Sequence, residues 1–161
     1  MKSLLLLRHA EAVDLTPEVA ESERPLTEFG ESQARNLGAF LKTRGYAPDK
    51  IECSAAVRAV QTTELVANAA GWNTPIDSYK HLYTATAEEL MRQAAKQDQS
   101  VAQLLLVAHA PGIAEAASLL VTEKAGARLI YKPCTLTEVL LDIDKWPAIA
   151  SGRGALRLLM P

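Results

Sequence analysis

Four consecutive leucines, Leu4–Leu7, are followed at once by Arg8 and His9. This run sets the first limit on the fold. A membrane helix needs about 18 or more consecutive apolar residues, and a cleaved secretory signal needs an apolar region of roughly 7–15. Four leucines closed by a cation satisfy neither, so the stretch is expected to stay in the folded protein. It is long enough for a strand covered on both faces, as at the centre of a parallel sheet.

The same kind of run recurs along the chain, separated by helical patterns. Pro17 and Pro25 mark a loop after the leucines. Thr27 is placed to cap a helix reaching about Arg44, with Ala34, Leu37 and Leu41 on one face and Gly45 as its stop. Ile51–Cys53 reads as a strand. Ser54 then reads as the cap of a helix running through Val57, Val60 and Val66 to Ala70, ended by Gly71. Pro75–Tyr79 reads as a third strand, and Thr86-x-x-Glu89 as a capping box opening a helix to about Gln97. Gln103–Val107 is another apolar strand, and Pro111 opens a helix through Leu119 and Leu120. Leu136–Ile143 and Ala155–Met160 read as late strands joined by a loop holding Trp146, Pro147, Gly152 and Gly154. Alternation of strand and helix predicts an α/β three-layer sandwich: a mainly parallel central sheet flanked by helices, with antiparallel C-terminal strands. At 161 residues, one domain spanning 1–161 is expected.

Composition narrows the function. With 17 Lys and Arg against 19 Asp and Glu, the net charge is −2, which argues against a chain built to coat nucleic acid or anionic membrane. Two separated cysteines, Cys53 and Cys134, form neither a disulfide framework nor a zinc ribbon. They fit a reducing cytoplasm.

"LLLLRHAEA" at 4–12 has an echo in "LLLVAHAPG" at 104–112. Each has four apolar residues, one further residue, then His-Ala. His9 and His109 therefore occupy equivalent points past the carboxyl ends of two buried strands, the edge where open α/β sheets bind ligands. Arg8 precedes His9, and Arg58 falls near the start of the helix after the second strand, where free N–H groups favour an anion. Two guanidiniums and two imidazoles converging on one point suit a phosphoryl group.

These residues carry a resemblance. "LLLLRHAEA" resembles the strand-and-nucleophile signature of the histidine phosphatase (phosphoglycerate-mutase-like, R-H-G) superfamily, in the Arg-His-Ala form of its SixA-like phosphohistidine phosphatase branch. "RPLTEFGESQA" at 24–34, "CSAAVRAVQTTELV" at 53–66 and "LLLVAHAPGI" at 104–113 are similar to its later segments, in the same order. The resemblance implies that His9 is the nucleophile and passes through a phosphohistidine. It implies that Arg8, Arg58 and His109 bind the phosphoryl oxygens, with Arg24 as a further candidate cation. No metal or other cofactor is implied.

The chain departs from the family in its acid. Many members protonate the leaving group with a carboxylic acid after the third strand, where this sequence has His81 and Tyr83. Glu11 and Asp14 are the nearest carboxylates after His9, and the acid is unassigned. A phosphoramidate needs less help from an acid than a sugar phosphate does. The short connection 10–26 leaves no room for a large lid, which suits a phosphorylated protein surface. The expectation is a cytoplasmic, metal-independent phosphatase acting on protein phosphohistidine, for example on a phosphotransfer domain, with neither nucleic acid nor membrane as partner. A small-molecule phosphomonoesterase, or a module that binds a phosphorylated partner and turns it over weakly, are the alternatives. A metal hydrolase using His9, His81 and His109 lacks any H-x-H or H-E-x-x-H spacing.

Overall fold

A computed structural model of the chain describes residues 1–122 and 129–160. Six strands and four helices follow in the order β1 (Lys2–Arg8), α1 (Glu28–Thr43), β2 (Lys50–Ser54), α2 (Val57–Ala70), β3 (Ile76–Tyr79), α3 (Ala87–Ala95), β4 (Gln103–Ala108), α4 (Gly112–Val121), β5 (Leu136–Leu141) and β6 (Gly154–Met160). The strands form one sheet in the order β3-β2-β4-β1-β5-β6. The β3-β2, β2-β4 and β4-β1 pairings are parallel, and β5 and β6 are added antiparallel beyond β1. This is the expected mixed α/β architecture.

Strand β1 is buried on both faces because successive side chains point to opposite sides. Leu4 and Leu6 enter the core beneath α3 and α4, with Leu90, Ile113 and Leu120. Leu5 and Leu7 enter the core beneath α1 and α2, with Leu37, Leu41 and Val66. All four leucines are 1 % exposed or less, and full burial of each favours folding by about 1.5–3 kcal/mol. The echo between the N-terminal and later segments is an aligned register. Leu4 pairs with Leu104, and the match continues residue by residue to Arg8 and Ala108. Helix α1 follows β1 on one face of the sheet, and α4 follows β4 on the other. The gap between these neighbouring strand ends is thus a topological switch point, the usual ligand crevice of such sheets.

Local signals hold at the helix starts. The Thr27 hydroxyl accepts from Gly30 N at 2.9 Å, and Thr86 and Glu89 form both halves of a capping box. Two readings are corrected. Ser54 is the last residue of β2, and α2 begins at Val57 after Ala56. Trp146, placed in a loop, lies in a single 3₁₀ turn and is fully buried. Its indole N–H donates to the Val101 carbonyl at 2.8 Å, and Lys2 Nζ sits 5.9 Å from its ring while donating to Gln99 and Val101 carbonyls. This closes the sheet end remote from the histidines. Among the described residues, no helix is long and apolar enough to cross a membrane.

Helix α1 is pressed against the segment after His9. A Cβ on Gly30 would stand 2.0 Å from the Glu11 carbonyl oxygen, and that oxygen accepts from Thr27 N at 3.0 Å. Gly30→Ala must therefore push α1 away from residues 11–12. Its urea-unfolding midpoint should fall by the equivalent of about 1–3 kcal/mol, and an unchanged midpoint would show that the helix shifts freely.

Candidate active site

Three side chains meet at the switch point, each delivered by a different element. His9 follows β1 and is fixed at both ends of its backbone: its N–H donates to the Ala108 carbonyl at 3.1 Å, and its carbonyl accepts from Cys134 N at 3.0 Å. His109 follows β4 in the same register. Arg58 is the second residue of α2 and is buried, at 4 % exposure. The two imidazole centroids lie 4.9 Å apart.

Hydrogen bonds assign the protons on both rings. Arg58 Nε donates to His9 Nε2 at 3.2 Å. An arginine nitrogen can only donate, so Nε2 presents a lone pair. His9 Nδ1 then carries the proton and donates to the Ala10 carbonyl at 2.8 Å. Arg58 Nη2 lies 3.3 Å from His109 Nδ1, which likewise accepts. His109 Nε2 carries the proton and donates to Ser54 Oγ at 2.8 Å. Both rings are neutral. Burial is the main cause, with the Arg58 and Arg8 charges behind it, and the His9 pKa falls from 6.5 to about 4. Burial, then His9 and Arg58, bring His109 down to about 3.

The Ala10 peptide that holds His9 is itself held. Its N–H donates to Thr62 Oγ1 at 2.9 Å, and that hydroxyl donates to the Arg58 carbonyl at 2.7 Å. Thr62 thus ties the β1 end to α2 one turn beyond Arg58. Two glutamines position the rest of the loop: Gln33 Oε1 accepts from Glu11 N at 3.0 Å, and Gln61 Oε1 accepts from Leu26 N at 2.8 Å.

The other expected residues divide. Arg8 adjoins the group, with Nη1 donating to the Tyr131 carbonyl at 2.7 Å. Arg24 is linked indirectly: its Nη2 meets Glu21 Oε1 at 2.6 Å, and Glu21 in turn meets Arg58 Nη2 at 3.0 Å. The Glu11 carboxylate is engaged at the start of α1, accepting from the Thr27 hydroxyl at 2.9 Å. His81 is exposed, pairs through Nε2 with Gln93 Oε1 at 3.1 Å, and packs 5.3 Å from the Tyr79 ring. Tyr83 does reach the site: its ring meets His109 edge-on at 5.3 Å and lies 5.7 Å from the Arg58 guanidinium carbon. No three His, Cys, Asp or Glu side chains among the described residues are grouped to hold a metal.

Sequence reasoning missed Glu21, Thr62 and the role of Ser54. Ser54 and Thr62 stand inside the segment 53–66, four residues before and after Arg58, so a search for hydroxyls flanking that arginine would have found them. Glu21 lies in a polar loop with no spacing signal. Chemically, the group offers an unprotonated imidazole nitrogen beside guanidinium donors, in a buried setting where both rings resist protonation. Such an arrangement can serve as a nucleophile facing an anion-binding surface.

The chain has relatives both in sequence and in fold. The sequence model of the histidine phosphatase superfamily (branch 1) matches residues 4–83. The chain belongs to the histidine phosphatase superfamily. It is 28% identical over 156 residues to an uncharacterized protein of Mycobacterium tuberculosis strain H37Rv, covering 93% of this chain and 96% of that protein. A structure from Nakamurella multipartitia, assigned as the phosphohistidine phosphatase SixA, superposes with a TM-score of 0.85 at 26% identity, covering 99% of this chain and 95% of that one. A protein histidine phosphatase SixA in complex with tungstate gives a TM-score of 0.81 at 22% identity, covering 98% and 96%.

Depressed histidine pKa values make stability depend on pH with a definite sign. Unfolded imidazoles protonate near 6.5, while the folded His9 resists protonation to about 4. The unfolded state then binds the extra protons, so stability present above pH 6.5 is lost on acidification through this window. Urea unfolding at pH 7 and pH 5 should show a smaller acid loss for His9→Asn than for wild type; equal losses would mean that His9 is not neutral in the fold.

Proposed function

We propose that this phosphatase works through a transient phosphohistidine on His9 and that its substrate is phosphohistidine on a cytoplasmic protein. The observation that carries the reading is the His9 ring itself: Nδ1 is bound to the Ala10 carbonyl, and Nε2 is left as a lone pair facing Arg58. In the first half-reaction Nε2 bonds to phosphorus and the bond to the leaving group breaks. In the second, water bonds to phosphorus, the Nε2–phosphorus bond breaks, and phosphate departs. Two easier displacements replace one difficult displacement.

The phosphoryl oxygens take up donors that now face His9 and His109. Arg58 lies between the two rings. Arg8 Nε is a buried donor with no acceptor among the described residues, as is Arg24 Nε, and a phosphoryl oxygen would satisfy the first. His109 responds to the charge. An approaching dianion favours its protonated form, and its Nδ1, now an acceptor, becomes a second cationic donor at the site. Guanidinium and imidazolium charge then stabilise the transferring group with no metal required.

The protein substrate is supported by the resemblance to SixA structures and by the surface next to the site. An apolar groove of about 700 Å³ starts at Ala110 and Pro111, directly after His109, and follows α4 to Leu129 and Ile130. It offers contact area to a protein carrying the phosphorylated side chain. Two buried free thiols, Cys53 and Cys134, fit a reducing compartment.

Brief exposure to a phosphohistidine protein, followed by denaturing quench, should leave acid-labile phosphate on wild type and none on His9→Ala. Retention of near wild-type turnover by that variant would end the reading. Arg58→Ala should lower kcat/KM by about 10²–10³-fold, the scale for losing a donor to transition-state charge. Chelator should leave the wild-type rate unchanged. Turnover of sugar or nucleotide phosphates, with none of phosphohistidine protein, would assign the small-molecule phosphomonoesterase function instead.

A further inference from the structure

The two half-reactions above move protons that neither His9 nor Arg58 supplies, and one carboxylate borders the group. Glu21 lies on the single 3₁₀ turn Glu21–Glu23 in the loop between β1 and α1. Its carboxylate oxygens are 3.0 and 3.2 Å from Arg58 Nη2, the nitrogen that also reaches His109 Nδ1 at 3.3 Å. Its backbone carbonyl accepts from Arg58 Nη1 at 2.8 Å. Among the described residues, no other carboxylate bonds to Arg58, His9 or His109. Glu11, the nearest acid in sequence, is held by Thr27 instead.

We propose that Glu21 is the proton-transfer residue of this site, giving a proton to the leaving group and taking one back from water. The proposal rests on the phosphohistidine-intermediate reading and supplies the acid that the sequence left unassigned. In the first half-reaction His9 Nε2 bonds to phosphorus, the bond from phosphorus to the leaving atom breaks, and the Glu21 proton passes to that atom, leaving a carboxylate. In the second, the water oxygen bonds to phosphorus, the Nε2–phosphorus bond breaks, and the water proton returns to Glu21. Protons balance over the cycle.

Substrate binding itself prepares the acid. In the free protein Glu21 faces Arg58 from α2 and Arg24 from its own loop, with His109 beyond Arg58. Partial burial pushes its carboxyl up, but the hydrogen bonds and charges of Arg24 and Arg58 outweigh this and hold it below its ordinary value. A phosphoryl dianion on Arg58 takes over the donors that now serve Glu21 and adds negative charge beside it. Both changes favour the protonated carboxyl. The side chain is 38% exposed, so it can take its proton from solvent and shift off Arg58.

Leaving-group dependence tests this. Wild type, Glu21→Gln and Glu21→Asp are compared on 4-nitrophenyl phosphate, whose leaving group departs as a stable anion, and on phenyl phosphate, whose leaving group benefits from a proton. Glutamine keeps an acceptor for Arg58 and Arg24 but transfers no proton. For Glu21→Gln, kcat/KM on phenyl phosphate should fall by about 10²-fold or more, the range of general acid catalysis, with a much smaller fall on the nitrophenyl ester. Glu21→Asp should recover part of the phenyl phosphate rate. Quenched during turnover of the nitrophenyl ester, Glu21→Gln should hold more acid-labile phosphate on His9 than wild type, because water attack has lost its base while phosphorylation has not. An equal fall on both esters, with normal phosphohistidine levels, would make Glu21 only a clamp on Arg58 and overturn the proposal alone. Wild type that never acquires phosphate on His9 would remove the phosphohistidine reading and this proposal together.

Discussion

Arg58 points each side-chain nitrogen at a different part of the site: Nε at His9, Nη2 at His109 and the Glu21 carboxylate, Nη1 at the Glu21 carbonyl. A guanidinium that cannot accept a hydrogen bond fixes which nitrogen of each ring is unprotonated. It therefore sets the chemical state of two histidines that come from strands a hundred residues apart. Its burial has a price in lost hydration, met by the Glu21 carboxylate, which ties the loop after β1 to the start of α2. The loop, the helix and both strand ends are held in one arrangement by one cation.

Behind that cation stands a second set of hydrogen-bonding groups. Thr62 joins the Ala10 peptide to the Arg58 carbonyl, and Ser54 Oγ accepts the hydrogen bond from His109 Nε2. Gln33 and Gln61 satisfy backbone donors of the loop. Each fills a hydrogen bond that burial would otherwise leave unmade, at a cost of about 1–3 kcal/mol per unsatisfied group. The segments that resemble the family hold more than the reactive side chains; they also contain the hydroxyls and amides that orient them.

Much of this was legible because it is periodic or local. The leucine runs, the caps at Thr27 and Thr86, and the pairing of His9 with His109 are written in spacing. The echo at a separation of one hundred residues is the β1–β4 register itself. What escaped depends on tertiary neighbours. Ser54 looks like a cap because a hydroxyl before a helix usually is one; here β2 runs one residue further and turns it towards His109. Trp146 sits beside a proline in a turn-like segment, and its burial depends on Val101 and Lys2 from far away in the chain. Glu138 interrupts an apolar strand yet is fully buried, because Ser3 and Tyr46 donate to it. Glu21 has no periodic neighbour at all.

The place of β1 in the sheet has a consequence for how the protein comes into being. Its two neighbours are β4 and β5, so the first strand has no local partner. Each of its pairings must close a loop of a hundred residues or more, an entropic cost that long-range contacts repay only once they form. The helix-linked unit β2-α2-β3 pairs with far shorter closures. His9 and His109 come together only when β1 is seated on β4, so a partly folded chain carries both histidines and no site. The grouping of His9, His109 and Arg58 is in this way a readout of long-range closure, absent until the fold around it is complete.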